Sequence, residues 1–171
     1  MFRITPYIML FLTAVLSQIF FFDNLAVSIL FSPLVYIVFI VLLPVEISQI
    51  LMLALSILLG VTLDATMGTE GINSIATIFV AFFRAPLLKL IVGKERALER
   101  GVPSEIRLGH GDYFRYMVTL VAAHHAIFFL FESLTLSNLH YTLGRFGIST
   151  AMTILFVWLI SRIFTINNIL K

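Results

Sequence analysis

The sequence predicts an all-α, polytopic integral membrane protein: one domain over 1–171 with six transmembrane helices. Hydrophobic residues make up 60% of the chain and charged residues 12%, with a mean hydropathy of +1.07. An ordinary soluble domain carries about 25% charged residues, and a soluble core of this length could not bury so much apolar surface. A water-soluble monomer is therefore excluded. The apolar residues also fall into runs near the ~20 that a helix needs to cross a hydrocarbon core about 30 Å thick. Backbone groups in lipid must be satisfied internally, so such runs should be helices. Barrel strands would show short alternating segments instead.

The first run is 4–22. Arg3 followed by apolar residues has the look of a signal peptide. Ile19-Phe20-Phe21-Phe22 stands before Asp23, however, without a small-residue cleavage site, so an uncleaved helix is expected. Asp23 and Asn24 supply turn chemistry. The second run, 28–43, is short for a span, and Pro44-Val45-Glu46 breaks it from the third, 47–63. Gly68 and Gly71, in the connection to the fourth run at 72–92, suit a tight turn or a close backbone approach. The loop 93–112 is the one candidate for a docking surface in water, and its first part could extend the fourth helix until Gly101 and Pro103 stop it. The fifth and sixth runs are 113–134 and 143–166. Short connections imply antiparallel neighbours. There is no internal repeat, linker or low-complexity tract.

Lys94, Arg96, Arg100 and Arg107 lie in the long loop, with Arg115 just beyond it. With six spans, Arg3, Arg162 and Lys171 fall on that same side, and Arg145 alone falls near a loop on the other. The excess of cations marks the cytoplasmic side, so both termini and the long loop are expected there. The formal charge of +2 is then a matter of topology, with contact to anionic lipid as an addition. No basic and aromatic surface suits nucleic acid. The absence of Cys excludes disulfides, thiolate metal sites and thiol catalysis.

Polar side chains at membrane depth need a partner or a reason. Gln18, Asp64, Asn73, His125 and Glu132 all fall toward the outer ends of their spans, which suggests one outer polar cluster. That cluster is either a small polar cavity or interhelical hydrogen bonding that holds the bundle. Asp64 could also lie at the headgroup level. His125 and Glu132 share a helical face, whereas His124 points about 100° away. Two donors two turns apart are loose for one metal ion, so no metal site is expected, and a proton relay through Glu132 and His125 lacks a second deep acid. Arg84 stands two residues before Pro86, which frees the carbonyl near Phe82. The guanidinium could meet that carbonyl, a lipid phosphate or a partner's carboxylate. The plainer reading is a kinked helix with Arg84 extended to the inner interface. No phosphate loop, nucleophile elbow or carboxylate pair marks an enzyme.

Taken together, these residues resemble the MreD family of rod-shape-determining membrane proteins. Ser17-Gln18 closes the first span before an aromatic run and the Asp23-Asn24 turn. Phe31-Ser32-Pro33 opens the second span, with Leu34 where the family usually has a polar residue. The most specific stretch is Gly60-Val61-Thr62-Leu63-Asp64, then Gly68 and Gly71, then Ile72-Asn73-Ser74, running on to Arg84 and Pro86. His124-His125 and Phe128-Phe129 to Glu132 look like members with a charged fifth span.

The resemblance covers nearly the whole chain. It implies a fold similar to the substrate-binding components of energy-coupling-factor transporters. It also implies a non-enzymatic role in cell elongation and peptidoglycan synthesis at the bacterial cytoplasmic membrane, with no cofactor. The implied partners are an MreC-like bitopic protein, an MreB-like filament, a RodA-like glycosyltransferase and a class B penicillin-binding transpeptidase, besides membrane lipids.

Gly147 and Ala123 would be close-approach sites for partner helices, and the short second span could thin the bilayer. The alternative is a vitamin-transporter component with its ligand in the outer cluster. Against it, Ala14 is followed four residues later by Gln18, not by the second alanine that docks such proteins on their coupling subunit. Ion or proton conduction through Glu132 and His125 is a third reading.

Overall fold

A computed structural model describes residues 5–24, 31–133 and 139–169. Of the residues used above, Arg3, Lys171 and positions 4, 28–30 and 134 lie outside the described residues.

Among the described residues the secondary structure is helical throughout, and five helices are long and apolar enough to cross a membrane. Helix α1 (Thr5–Ser17) runs on through a π turn, Gln18–Phe22. That turn is closed by the Asp23 N–H on the Gln18 carbonyl at 2.9 Å, and the Asn24 amide caps the carbonyls of Ile19 and Phe20 at 3.1 and 3.2 Å. The Asp23-Asn24 pair therefore ends the helix as its turn chemistry implies. Helix α3 (Gln49–Met67) starts at Ser48, whose hydroxyl accepts the Leu51 N–H. It stops at Gly68, which sits in the left-handed region with φ 68°. Helices α4 (Ile72–Val92), α7 (His110–Glu132) and α8 (Leu139–Ile169) are the other long ones. Short helices α5 (Lys94–Leu98) and α6 (Glu105–Leu108) fold the connection between α4 and α7. The expected extension of the fourth helix fails because Gly93 takes φ 84° and stops it at Val92.

The second expected span differs most. Residues 31–34 are not helical; a 3-10 turn, Val35–Ile37, leads into the single helical turn α2 (Val38–Leu42). Leu43, the residue before Pro44, is extended with ψ 144°, as the proline ring demands. Residues 34–43 are 0–2% exposed, surrounded by the long helices, so the idea that this segment thins the bilayer is overturned. The core is built on it: Tyr36, Phe39 and Ile40 pack with Leu59, Leu63, Val80, Ala81, Leu120 and Val157. The long helices turn their other faces outward, with Phe20, Ile50, Leu90, Leu130 and Ile163 each more than half exposed. That pattern suits a lipid solvent.

Candidate functional site

The α3–α4 corner carries the motif residues. Gly60 lies against α4 so closely that a Cβ there would stand 2.4 Å from Ser74 Cα. This approach brings the Asp64 carboxylate to the start of α4. Its Oδ1 accepts the Asn73 N–H at 2.9 Å and the Thr69 hydroxyl at 2.6 Å. Its Oδ2 accepts both the N–H and the hydroxyl of Ser74, at 2.9 and 2.6 Å. The residue before α4 is Gly71, at φ 94° and without a side chain. Asp64 therefore acts as the cap that α4 lacks, with its negative charge at the positive helix end.

A directional chain leaves this corner. Thr69 Oγ1 gives its proton to Asp64 and accepts from Asn73 Nδ2 at 2.6 Å. Asn73 Oδ1 accepts the Tyr36 hydroxyl at 2.6 Å. The Tyr36 oxygen then has only lone pairs for His124 Nε2, 3.0 Å away, so His124 carries its proton on Nε2. Its Nδ1 is an acceptor without a partner among the described residues.

His125 has the opposite tautomer. Its Nδ1–H donates to the Val121 carbonyl at 3.0 Å, which leaves Nε2 to accept the Thr153 hydroxyl at 3.1 Å. Thr153 Oγ1 in turn accepts the Leu34 N–H at 3.0 Å. Three further bonds hold the non-helical stretch. Ser149 Oγ accepts the Ser32 N–H at 3.0 Å, and the Gln18 amide both accepts the Val35 N–H at 2.9 Å and donates to the Pro33 carbonyl at 3.1 Å. Pro33 has no N–H to satisfy. Non-helical backbone at membrane depth requires such partners, and here Gln18, Ser149 and Thr153 are the means.

The other end of the buried segment is held by Arg84, 4% exposed. Its Nε donates to Tyr116 Oη at 2.8 Å and its Nη2 to the Leu43 carbonyl. Tyr116 passes its own proton to the Val41 carbonyl at 3.2 Å. The cation thus meets the unsatisfied carbonyls at the C-terminal end of α2, where a positive charge is favoured. The expected extension of Arg84 to the interface is overturned. The Phe82 carbonyl freed by Pro86 is approached by Gln49 Nε2, at 3.4 Å.

The single outer cluster is likewise overturned. Gln18 serves the 33–35 backbone, and Asp64 and Asn73 form the corner. His125 joins Thr153, and Glu132 pairs with Arg145 at 2.9 Å. Arg145 also reaches Ser32 Oγ at 3.3 Å and lies over the Phe129 ring. Tyr36, Ser149, Thr153 and Tyr116 were not singled out from the sequence, and His124 was set apart from the outer cluster because it points away from the His125 face. Two signals could have found some of them: Tyr36 is the sole hydrogen-bonding side chain between Pro33 and Pro44, and Ser149 and Thr153 stand four apart on one helical face. Gly147 is exposed with nothing against it, whereas Ala123 is packed against the core.

At the loop end, Arg107 donates to the carbonyls of Gly101, Arg96 and Glu99 and so folds 96–107 around itself. Burial lowers its pKa. Glu105 accepts from Arg162 at 3.0 and 3.1 Å and pairs with His110, and these bonds hold its carboxyl below the usual range. The Val45 N–H donates to the Gly101 carbonyl at 3.0 Å, tying this loop to the end of the buried segment.

Among the described residues no group of three His, Asp or Glu side chains could hold a metal ion. The buried polar groups above are turned on one another and on backbone, an arrangement that fixes helices in place. No family model, no curated protein and no solved structure matches the chain.

Proposed function

We propose that the chain is a non-enzymatic scaffold of the bacterial cytoplasmic membrane, acting in the cell-elongation (rod) complex with MreC-like and MreB-like partners. The observation that carries this reading is the role of 60–86, the stretch most similar to the MreD family. Gly60, Asp64, Asn73 and Arg84 are spent on joining α3, α4 and the buried segment. Residues used in this way make a rigid bundle whose outer faces remain free for partner helices.

In this reading 31–43 is the sixth crossing. Four non-helical residues, a 3-10 turn and α2 cover at most about 28 Å, near the ~30 Å hydrocarbon thickness. The 93–109 loop and both termini face the cytoplasm, where cations gather. The vitamin-transporter reading would place a ligand among the outer polar residues, and these are already turned on backbone and on one another, Gln18 on 33–35, Asp64 on Asn73 and Ser74, His125 on Thr153 and Glu132 on Arg145.

The test is mild crosslinking in native membranes followed by capture of the tagged chain. The expected catch is an MreC-like bitopic protein with wall-elongation enzymes. Paired ATPases with a coupling subunit would replace this reading by the transporter one.

A further inference from the structure

A groove of about 640 Å³ runs between α1 and α3, with Phe39 and Leu43 at its floor. Leu12 on one wall faces Leu55 and Leu58 on the other, and Tyr7 and Glu46 stand at its mouth. Two observations decide what fits there. The first is depth. Along α3 the lining ends at Leu58, and the rise from Gln49 to that residue is about 14 Å. That is half of a hydrocarbon core about 30 Å thick, so the groove serves one leaflet, on the side of the 93–109 loop. A transmembrane helix would need a seam through both leaflets. The second is charge. Glu46 is exposed and makes no ion pair among the described residues. Arg84 and Arg107, the cations that act on this region, are held on backbone carbonyls. A tyrosine ring at the mouth sits where amphipathic rings favour the interface.

We propose that the groove binds one acyl chain of an aminophospholipid from that leaflet, with Glu46 receiving the headgroup ammonium. The proposal is independent of the scaffold reading. The full chain is purified in mild detergent, supplied with equal phosphatidylethanolamine and phosphatidylglycerol, and examined by native mass spectrometry.

One retained lipid is expected, with phosphatidylethanolamine favoured by about fivefold, the effect of a single exposed charge pair. Leu55→Trp projects an indole from one wall of the groove, narrows the path of an acyl chain and lowers the amount of lipid retained. Glu46→Lys leaves the apolar walls intact and reverses the preference toward phosphatidylglycerol. Because Glu46 is exposed, that variant folds and keeps the test decisive if Leu55→Trp does not. Retention unchanged by both variants, or a preference that Glu46→Lys does not move, overturns the proposal. So does a membrane protein from native membranes that shields a Leu12→Cys thiol from labelling while no lipid is retained.

Discussion

Replacing Gly60 by alanine adds one methyl group at the tightest point of the bundle. The new Cβ would stand 2.4 Å from Ser74 Cα and 2.9 Å from both Ser74 N and Ser74 Oγ. Two of these atoms are backbone, so no rotamer change relieves the clash. Reaching an ordinary contact needs α3 and α4 to part by about 1 Å. Overpacking of this kind costs about 1–3 kcal/mol. The same displacement stretches the Ser74 bonds to Asp64, now 2.6 and 2.9 Å, beyond useful range. Each bond to a charged group contributes about 1.5–3 kcal/mol. Alanine returns about 1 kcal/mol of helix propensity. The net loss is then about 3–8 kcal/mol. Gly147→Ala is the control, since nothing lies within 4 Å of a Cβ there, and it gains the propensity without the clash. Thermal unfolding of the two variants in the same detergent reads the difference. A Gly60→Ala midpoint equal to that of Gly147→Ala would refute the close approach and the capping role of Asp64 together.

Three further outcomes follow from the same geometry. Gln18→Leu leaves the Val35 N–H and the Pro33 carbonyl unpaired, at about 1–3 kcal/mol each, and the thermal midpoint should fall accordingly. Glu105 has a folded pKa below its ordinary 4.5, so its contribution is full above that value and fades as pH falls through the folded one. Limited proteolysis of 93–109 should be slow at pH 7 and faster below 4.5, and Glu105→Gln should show the fast rate already at pH 7. The chain has no Cys, so single thiols report topology: Lys94→Cys and Glu70→Cys, both exposed, should label from opposite sides of the membrane, Lys94→Cys from the cytoplasm.

The long helices were legible because each is a run of apolar residues near the length of a span, and Gly68 lies in the expected turn after α3; the stop at Gly93 was missed, since the loop beyond it was expected to extend the fourth helix. The buried segment was not legible. Its 28–43 run looks like a short helix, and the side chains that let 31–34 stay non-helical come from far away in the sequence, Gln18 on one side and Ser149 and Thr153 on the other. Arg84 was ambiguous for a similar reason. Pro44 ends α2 and leaves carbonyls bare, but only the packed bundle brings the guanidinium to them. The outer cluster failed because a span position fixes depth alone. Asp64, His125 and Glu132 share an outer level, and each turns to a different neighbour.

Depletion of the chain in its native cells, with cell width and the pattern of new wall followed by fluorescence, tests the scaffold reading most directly. Rounded cells with dispersed wall synthesis, restored by the parent chain, are the predicted result. Cells that keep their shape while uptake of a small solute falls would contradict it.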